Sequence, residues 1–241
     1  MNALELQDVR HAFGGSPALR GFSLAVAPGE VVAMAGLNGA GKTTAMRVLA
    51  GRLRPDAGLA RVLGAVSHRL RVDVARRFGQ LIGPPLTYGE LTVRENLMTA
   101  GRLHGLSRAA AREAAGSAIE SYRLGRWADR RVSALSAGNW QRLGVACATL
   151  HGPDAVILDE PTSALDPAGV VIVRDAVRSL AARGAGVLVS SHHLDEVSRV
   201  ADRIVVAHAG RLIGTLAPGA EMERRFFAML LAADADEGAD R

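Results

Sequence analysis

The chain has 241 residues, of which 49% are hydrophobic, so it is long and apolar enough to build one large folded core. Its formal net charge is +5, but almost no aromatic residues lie between the scattered arginines, and we therefore expect no nucleic-acid partner. A single cysteine, Cys147, excludes an internal disulfide. Residues 1–15 lack the regions of a signal peptide, and no apolar run reaches the roughly 20 residues that cross a bilayer. These features predict a cytoplasmic protein.

The N-terminal residues predict a small antiparallel layer of strands. Apolar residues alternate over 4–6 and again over 22–26, and Gly14-Gly15 marks the loop between the two strands. Three later runs of continuous apolar residues are typical of strands buried on both faces, as in a parallel sheet. These runs span 31–35, 155–158 and 186–189.

Between Pro84 and Pro153 the pattern changes to a block that predicts helices and no strand. The predicted helices span 93–104, 108–124 and 138–150. After Pro167 apolar residues recur with helical spacing, which predicts a helix laid on the sheet. Residues 218–231 predict a last helix, and the acidic residues 232–241 are expected to fray. We therefore predict one α/β domain over 1–220 with a helical subdomain at about 84–152, followed by a C-terminal helix and tail over 221–241.

Residues 36–43 read Gly-Leu-Asn-Gly-Ala-Gly-Lys-Thr, a complete phosphate-binding loop between a predicted strand and a predicted helix at 43–50. The glycines allow backbone N–H groups to close around phosphate oxygens, and the positive end of the helix faces the anion. Lys42 is the only lysine of the chain, and its ammonium is the compact charge that reaches between two phosphates. Thr43 offers a hydroxyl to Mg²⁺. An ordinary glycine turn before a helix is the alternative interpretation.

Asp159 and Glu160 follow the predicted strand at 155–158, at the strand end where doubly wound sheets bind ligands. Asp159 suits Mg²⁺ binding, and Glu160 suits orientation or deprotonation of an attacking water. The alternative is a surface carboxylate pair that caps the next helix. His192 follows another strand of the same sheet, where its imidazole can bind a γ-phosphate. We favour His192 over His193, because the next helix should carry His193 outward.

The segments 36–43, 135–139, 159–160, 163–166 and His192 resemble, in order and spacing, the ATP-binding-cassette family. The resemblance extends from the first strand to Leu216. The segments 91–97 and 190–196 are most similar to the ATPase subunits of drug, antibiotic and polysaccharide exporters, whose permease is a separate chain.

The resemblance implies a RecA-like P-loop NTPase core that hydrolyses ATP with Mg²⁺. Glu160 and His192 are the implied catalytic residues, and Thr43 and Asp159 the implied metal ligands. The implied nucleotide-binding residues are Phe13, which stacks on adenine, together with Gly36, Leu37, Asn38, Gly39, Ala40, Gly41, Lys42, Thr43, Thr44, Ser136, Gly138 and Asp166.

The resemblance also implies a head-to-tail dimer with two ATP molecules between the subunits, either a homodimer or a heterodimer with a second subunit of the family. Residues 135–139 of one subunit would face Lys42 of the other, and Asp166 would pass between the two sites. The helical subdomain would dock on an integral-membrane permease, which would hold the chain at the inner face of the membrane.

The sequence departs from the family pattern in two places. The signature reads Ser-Ala-Gly-Asn over 136–139 instead of the commoner Ser-Gly-Gly-Gln. Gly83 occupies the position where the family usually has a glutamine that contacts Mg²⁺ and the water. Gln80 lies three positions earlier, within a predicted strand at 78–82, so we do not expect it to substitute.

Two alternatives to an exporter ATPase remain. One is a non-transport relative that acts on DNA or ribosomes, although the long coiled coils, zinc modules or paired cassettes of that class are not evident in this sequence. The other is a nucleotide-dependent regulator with weak turnover, which Gly83 favours and the retention of Lys42, Asp159, Glu160 and His192 opposes.

Overall fold

The computed structural model describes residues 1–192, 194–219 and 221–239. Its strands are β1 Leu4–Phe13, β2 Ser16–Val26, β3 Val31–Ala35, β4 Ala57–Val62, β5 Ala65–Val66, β6 Phe78–Leu81, β7 Ala155–Asp159, β8 Gly186–Ser190, β9 Arg203–His208 and β10 Arg211–Leu216. Its helices are α1 Lys42–Leu49, α2 Val72–Ala75, α3 Val93–Leu103, α4 Arg108–Ser121, α5 Ala137–Thr149, α6 Pro167–Ala182, α7 Leu194–Ser198 and α8 Met222–Ala239.

The main sheet has six strands in the order β10-β9-β3-β8-β7-β6. The strands from β9 to β6 are parallel, and β10 is antiparallel to β9. Every residue of β3, β7 and β8 is buried, because the antiparallel layer and α1 cover one face of this sheet and helices cover the other. The predicted parallel core is confirmed. Its carboxyl strand ends lie along one edge, which brings the segments after β3, β7 and β8 together.

The N-terminal antiparallel layer has four strands in the order β2-β1-β4-β5. Strands β1 and β2 were predicted from their alternation, whereas β4 and β5 were not. Apolar side chains of this layer share a core with one face of the main sheet and with α1, and Phe22, Met34 and Met46 are fully buried there. The layer therefore supports the phosphate-binding loop and its helix from one side.

The helical block contains α3, α4 and α5, as predicted, and within the described residues no strand lies between β6 and β7. Helix α3 begins with a capping box, in which Thr92 Oγ1 accepts from the Glu95 N–H and the Glu95 carboxylate accepts from the Thr92 N–H. Leu97 and Leu143 pack in one core with Leu158 of β7. The block is therefore packed onto the main sheet by shared apolar side chains.

The last helix, α8, packs on the main sheet through Phe226 and Leu230, which are buried. Helix α8 continues to Ala239, so it includes residues of the acidic segment from 232 for which the sequence predicts fraying. An ion pair of 3.0 Å between His208 Nε2 and Asp234 Oδ1 ties this part of α8 to the end of β9. Among the described residues, no helix combines the length and the apolar character needed to span a membrane.

Candidate nucleotide site

The phosphate-binding loop connects β3 to α1, as its position in the sequence predicts. A Cβ at Gly36 would collide with the carbonyl oxygen of Ala207, and one at Gly41 would lie 2.9 Å from the carbonyl oxygen of Ala18. Gly41 also has a φ of 97°, which side chains disfavour. The loop is therefore held tightly between β9 and β2, and only glycine fits at these two positions.

Lys42, the first residue of α1, is buried and directs its ammonium back into the loop. Its Nζ donates to the carbonyl oxygens of Gly36 at 2.6 Å and Leu37 at 3.2 Å. Burial lowers the pKa of Lys42 below its usual value, and the charges of Glu160 and then Asp159 oppose this shift. The loop thus encloses one positive charge that faces two carboxylates.

Asp159 is the last residue of β7, and it is buried beside the loop. Its Oδ2 accepts a hydrogen bond of 3.0 Å from Thr43 Oγ1, and its Oδ1 accepts one of 2.6 Å from Ser190 Oγ. A carboxylate and a hydroxyl oxygen side by side are the hard ligands that Mg²⁺ prefers. The pair at Thr43 and Asp159 therefore fits a magnesium ion.

Glu160 follows Asp159 and has a φ of 48°, a conformation that non-glycine residues rarely adopt. Its N–H donates to Ser190 Oγ at 2.9 Å, and its carbonyl oxygen accepts from Gln141 Nε2 at 3.2 Å and Ser163 Oγ at 2.9 Å. The surrounding elements thus fix the main chain of this carboxylate residue.

The Glu160 side chain contacts His192, with Oε2 2.8 Å from Nδ1. His192 follows β8, as predicted, and His193 lies outside the described residues. In the structure Asp159 and Glu160 do not cap the next helix, so the alternative interpretation of this pair is wrong. Helix α6 is capped by Asp166, whose Oδ1 accepts from the Gly169 N–H at 2.7 Å.

A cavity of about 460 Å³ opens over the loop. It is lined by Phe13, Ser16, Pro17, Ala18, Asn38, Gly39, Ala40, Gly41, Lys42, Thr43, Thr44, Asp159 and Glu160. Phe13 is half-exposed at the end of β1, and its ring packs edge-to-face with His11 at 4.7 Å between centroids. An adjacent cavity of about 480 Å³ is lined in part by Gly36, Leu37, Asn38 and His192.

Three of the predicted residues lie away from these cavities. Ser136 is the N-cap of α5, where its Oγ accepts from the Asn139 N–H at 3.4 Å. Gly138 in the first turn of α5 packs so closely that a Cβ would lie 2.9 Å from the Ala164 carbonyl oxygen. Asp166 caps α6. In the described part of the chain, Ser136, Gly138 and Asp166 line neither cavity around the loop.

Gly83 lies two residues after β6 and has a φ of +74°, with open space where a Cβ would be. Gln80 is within β6, paired with Ile157, so the expectation that it belongs to a strand is confirmed. Its Oε1 is buried without a hydrogen-bond partner among the described residues. Gln80 does not line the cavity over the loop, and it does not replace the missing amide in this structure.

The sequence patterns missed Ser190 and Gln141, which hold the two carboxylate residues. Ser190 could have been found, because it is a polar residue at the end of a continuous apolar strand. Gln141 had no comparable signal. Its contact with Glu160 depends on how α5 packs against the sheet, which no local pattern encodes.

Comparison with known proteins identifies the family to which this chain belongs. A family model described as ABC transporter matches residues 19–163. A solved structure described as the ATP binding subunit of an ABC transporter superposes with a TM-score of 0.84 at 30% identity, covering 95% of this chain and 94% of that one. The chain therefore belongs to the ABC transporter family, as the motifs predict, and it is an ATP-binding ATPase subunit of that family.

Two curated relatives are similar to this chain over most of its length. The Nod factor export ATP-binding protein I of Paraburkholderia xenovorans (strain LB400) is 41% identical over 224 residues, which cover 90% of this chain and 72% of that protein. The daunorubicin/doxorubicin resistance ATP-binding protein DrrA of Streptomyces peucetius is 41% identical over 214 residues, which cover 88% of this chain and 64% of that protein. This chain is thus similar to exporter and drug-resistance subunits.

Proposed function

We propose that this chain powers the export of a small molecule, such as a drug, an antibiotic or a lipid-like compound, through a separate membrane permease. The names of its relatives, which include Nod factor export and daunorubicin resistance proteins, support the export role. The observation that carries the catalytic role is the hydrogen bond between Glu160 and His192, beside Lys42 and Asp159 at the edge of one sheet. A relative acting on DNA or ribosomes receives no comparable support.

In this proposal the phosphate-binding loop holds the phosphates of ATP. Backbone N–H groups and the N-terminus of α1 face the phosphate oxygens, and the buried Lys42 charge compensates part of their negative charge. Phe13 supplies an apolar ring for adenine at the rim of the cavity. Thr43 and Asp159 would hold Mg²⁺, which neutralises charge on the phosphate oxygens when bound.

Glu160 acts as the general base. A water attacks the γ-phosphorus, the bond between that phosphorus and the bridging oxygen of ADP breaks, and the water proton passes to the Glu160 carboxylate. His192 holds this carboxylate through the 2.8 Å contact at Nδ1. The hydrogen bonds at the Glu160 N–H and carbonyl oxygen keep the side chain aimed at the cavity without reorganisation during the reaction.

The positions of Ser136 and Gly138 support a dimer in which each site is completed by the other subunit. Both residues belong to the N-terminal turn of α5, and they line neither cavity of their own subunit. A helix N-terminus with free N–H groups attracts an anion. The signature segment of one subunit would thus face the γ-phosphate on Lys42 of the other, in a homodimer or in a heterodimer with a second subunit of the family.

The helical subdomain at about 84–152 is the proposed docking surface for the permease. Exposed apolar side chains support this assignment: Leu86 and Tyr88 precede α3, and Leu103 ends it. Apolar groups on the surface are typical of protein interfaces. The chain would then lie on the cytoplasmic side, at the inner face of the membrane, and closure of the dimer on ATP would move this surface.

The experiment replaces Glu160 with glutamine. We expect Glu160→Gln to bind ATP and fold normally but to lose about 10²-fold to 10⁴-fold in turnover, because an amide cannot take the water proton. It should also accumulate an ATP-bound dimer in size-exclusion chromatography. The exposed Glu120 of α4 provides the matched control, since Glu120→Gln changes the same group away from the site. Unchanged turnover together with a permanent monomer would contradict the assignment.

Export is tested in cells that express the chain with a candidate permease. Daunorubicin accumulation should fall with the unaltered chain and should not fall with Glu160→Gln. Equal accumulation with both chains, together with weak or absent ATP hydrolysis by the unaltered protein, would favour the second candidate, a nucleotide-dependent regulator. The absence of a side chain at Gly83 is the observation that keeps this candidate open.

A further inference from the structure

The side chain of Gln141 reaches from α5 to the main chain of Glu160. Its Nε2 donates to the Glu160 carbonyl oxygen at 3.2 Å, across 19 positions of sequence. Gln141 lies in the second turn of α5, five residues after the N-cap Ser136, and it is buried. No step of the hydrolysis mechanism uses this amide directly.

The Glu160 peptide is the part of the site where such a contact has the greatest effect. Glu160 has a φ of 48°, and a non-glycine residue keeps such a backbone only where its surroundings enforce it. Three elements do so here. Ser190 of β8 accepts from the N–H, Ser163 of the following loop donates to the carbonyl oxygen, and Gln141 of α5 donates to the same oxygen.

Helix α5 is the same helix whose N-terminus presents Ser136 and Gly138. It begins beside the loop that follows β7, where Gly138 packs against the Ala164 carbonyl oxygen. One helix therefore carries two functional groups, its first turn and Gln141, that act at different ATP sites. Its first turn would serve the ATP of the other subunit, and Gln141 contacts the base of its own subunit.

We propose that Gln141 is a positioning residue that holds Glu160 of its own subunit in the catalytic conformation. This inference rests on the proposed function of Glu160 as the general base. Glutamine suits the role because its amide is a neutral donor long enough to reach the carbonyl oxygen, whereas a glutamate at the same position would oppose one oxygen with another. Loss of the Gln141 donor leaves Ser163 as the remaining donor to that oxygen. The Glu160 carboxylate should therefore lose alignment while the protein stays folded.

The variant that tests this is Gln141→Met, which keeps the length of the side chain and removes the donor. We expect kcat to fall about tenfold with KM for ATP nearly unchanged, because the variant loses one positioning hydrogen bond and keeps every contact with the nucleotide. The control on the same helix is Thr149→Val. Thr149 is buried and its hydroxyl bonds the Tyr122 hydroxyl at 2.7 Å, so its loss should reduce stability and leave kcat unaltered.

Mixed dimers separate positioning of Glu160 from support of the signature turn. One subunit carries Glu160→Gln, so that turnover comes from the other, active subunit. Gln141→Met is placed either in the active subunit or in the silent subunit, whose α5 faces the active ATP site. Our assignment predicts the tenfold loss in the first arrangement and almost none in the second.

Each other result overturns the assignment. A loss in the second arrangement alone means that Gln141 supports the signature turn. Equal losses in both mean a general weakening of α5, and no loss in either means that the contact is idle. If the dimer in which both subunits carry Glu160→Gln hydrolyses ATP like the unaltered chain, then the base assignment fails and the Gln141 assignment with it.

Discussion

Ser190 Oγ donates a hydrogen bond of 2.6 Å to Asp159 Oδ1, and the two residues are direct partners in the parallel register of β8 and β7. Ser190 is fully buried. The same hydroxyl oxygen accepts the N–H of Glu160. One small side chain therefore orients both the proposed metal ligand and the main chain of the proposed base.

Replacement of Ser190 by alanine should weaken the positioning of Asp159 and of the Glu160 main chain. We expect Ser190→Ala to lower the free energy of unfolding by about 1–3 kcal/mol, because a buried N–H and a buried carboxylate oxygen each lose a partner. Turnover should fall roughly tenfold, since Asp159 and Glu160 are no longer held. Urea unfolding and a steady-state ATPase assay measure the two effects. Ser67→Ala is the matched control, because Ser67 is a buried serine that donates to the Val48 carbonyl oxygen away from the site. A similar loss of turnover in both variants would contradict the role given to Ser190.

Lys42 should not be replaceable by arginine. Its Nζ lies among loop carbonyl oxygens at 2.6 and 3.2 Å, and a planar guanidinium does not fit a cavity shaped for an ammonium. We expect Lys42→Ala to weaken ATP binding by roughly 10-fold to 100-fold through loss of a charged contact, and Lys42→Arg to fail as well. Titration with ATP checks both, and the exposed Arg54→Lys is the control for arginine–lysine exchange elsewhere. Parent-like binding and turnover in Lys42→Arg would refute this account of the sole lysine.

Restoring an amide at Gly83 should raise turnover. The site has open space for a side chain, but its φ of +74° means that any non-glycine residue strains the backbone, at a cost of about 1–2 kcal/mol. Gly83→Gln is therefore expected to be slightly less stable and faster in ATP hydrolysis. Gly83→Ala has the same backbone strain and no amide, so it should lose stability without gaining rate. If a structure with Mg-ATP has Gln80 at the metal or the water, the assignment of Gly83 is wrong.

The protein should become less stable as the pH falls below neutrality, through His151. The rings of His104 and His151 stack with centroids 3.6 Å apart. Burial, and then the neighbouring His104, lower the pKa of His151 to about 4, while a main-chain group of Phe78 opposes the shift. Burial also lowers the pKa of His104, against a main-chain group of Ala75.

The sign follows from proton linkage. An unfolded chain binds a proton at His151 near pH 6.5, whereas the folded protein resists it until about pH 4. The contribution of His151 is complete above pH 6.5 and decreases as the pH falls from about 6.5 to about 4, by roughly 1–3 kcal/mol. His151→Phe keeps a stacking ring without a titrating group, so its free energy of unfolding should vary less over this range. Denaturant unfolding at several pH values measures the difference, and identical pH dependence in both proteins would contradict the assignment.

The sequence by itself determined the elements whose residues are contiguous. The phosphate-binding loop could be located because its glycines, Lys42 and Thr43 act through local backbone geometry before a helix. The buried strands β3, β7 and β8 could be located because continuous apolar runs require cover on both faces. Short-range capping residues likewise mark the starts of α3, α5 and α6, since a cap bonds a backbone group only three positions away.

Only the tertiary structure decided how distant residues meet. Strands β4 and β5 lack a strong periodic pattern, and they form by pairing with β1 and with each other. Helix α8 extends through an acidic segment whose composition predicts fraying, and Asp234 of that segment forms an ion pair with His208 of β9. The hydrogen bonds that Ser190 and Gln141 form with the Glu160 main chain depend on strand register and on the packing of α5. Such contacts arise from the mutual placement of elements, and the energy that selects them is spread over the whole core instead of over neighbouring residues.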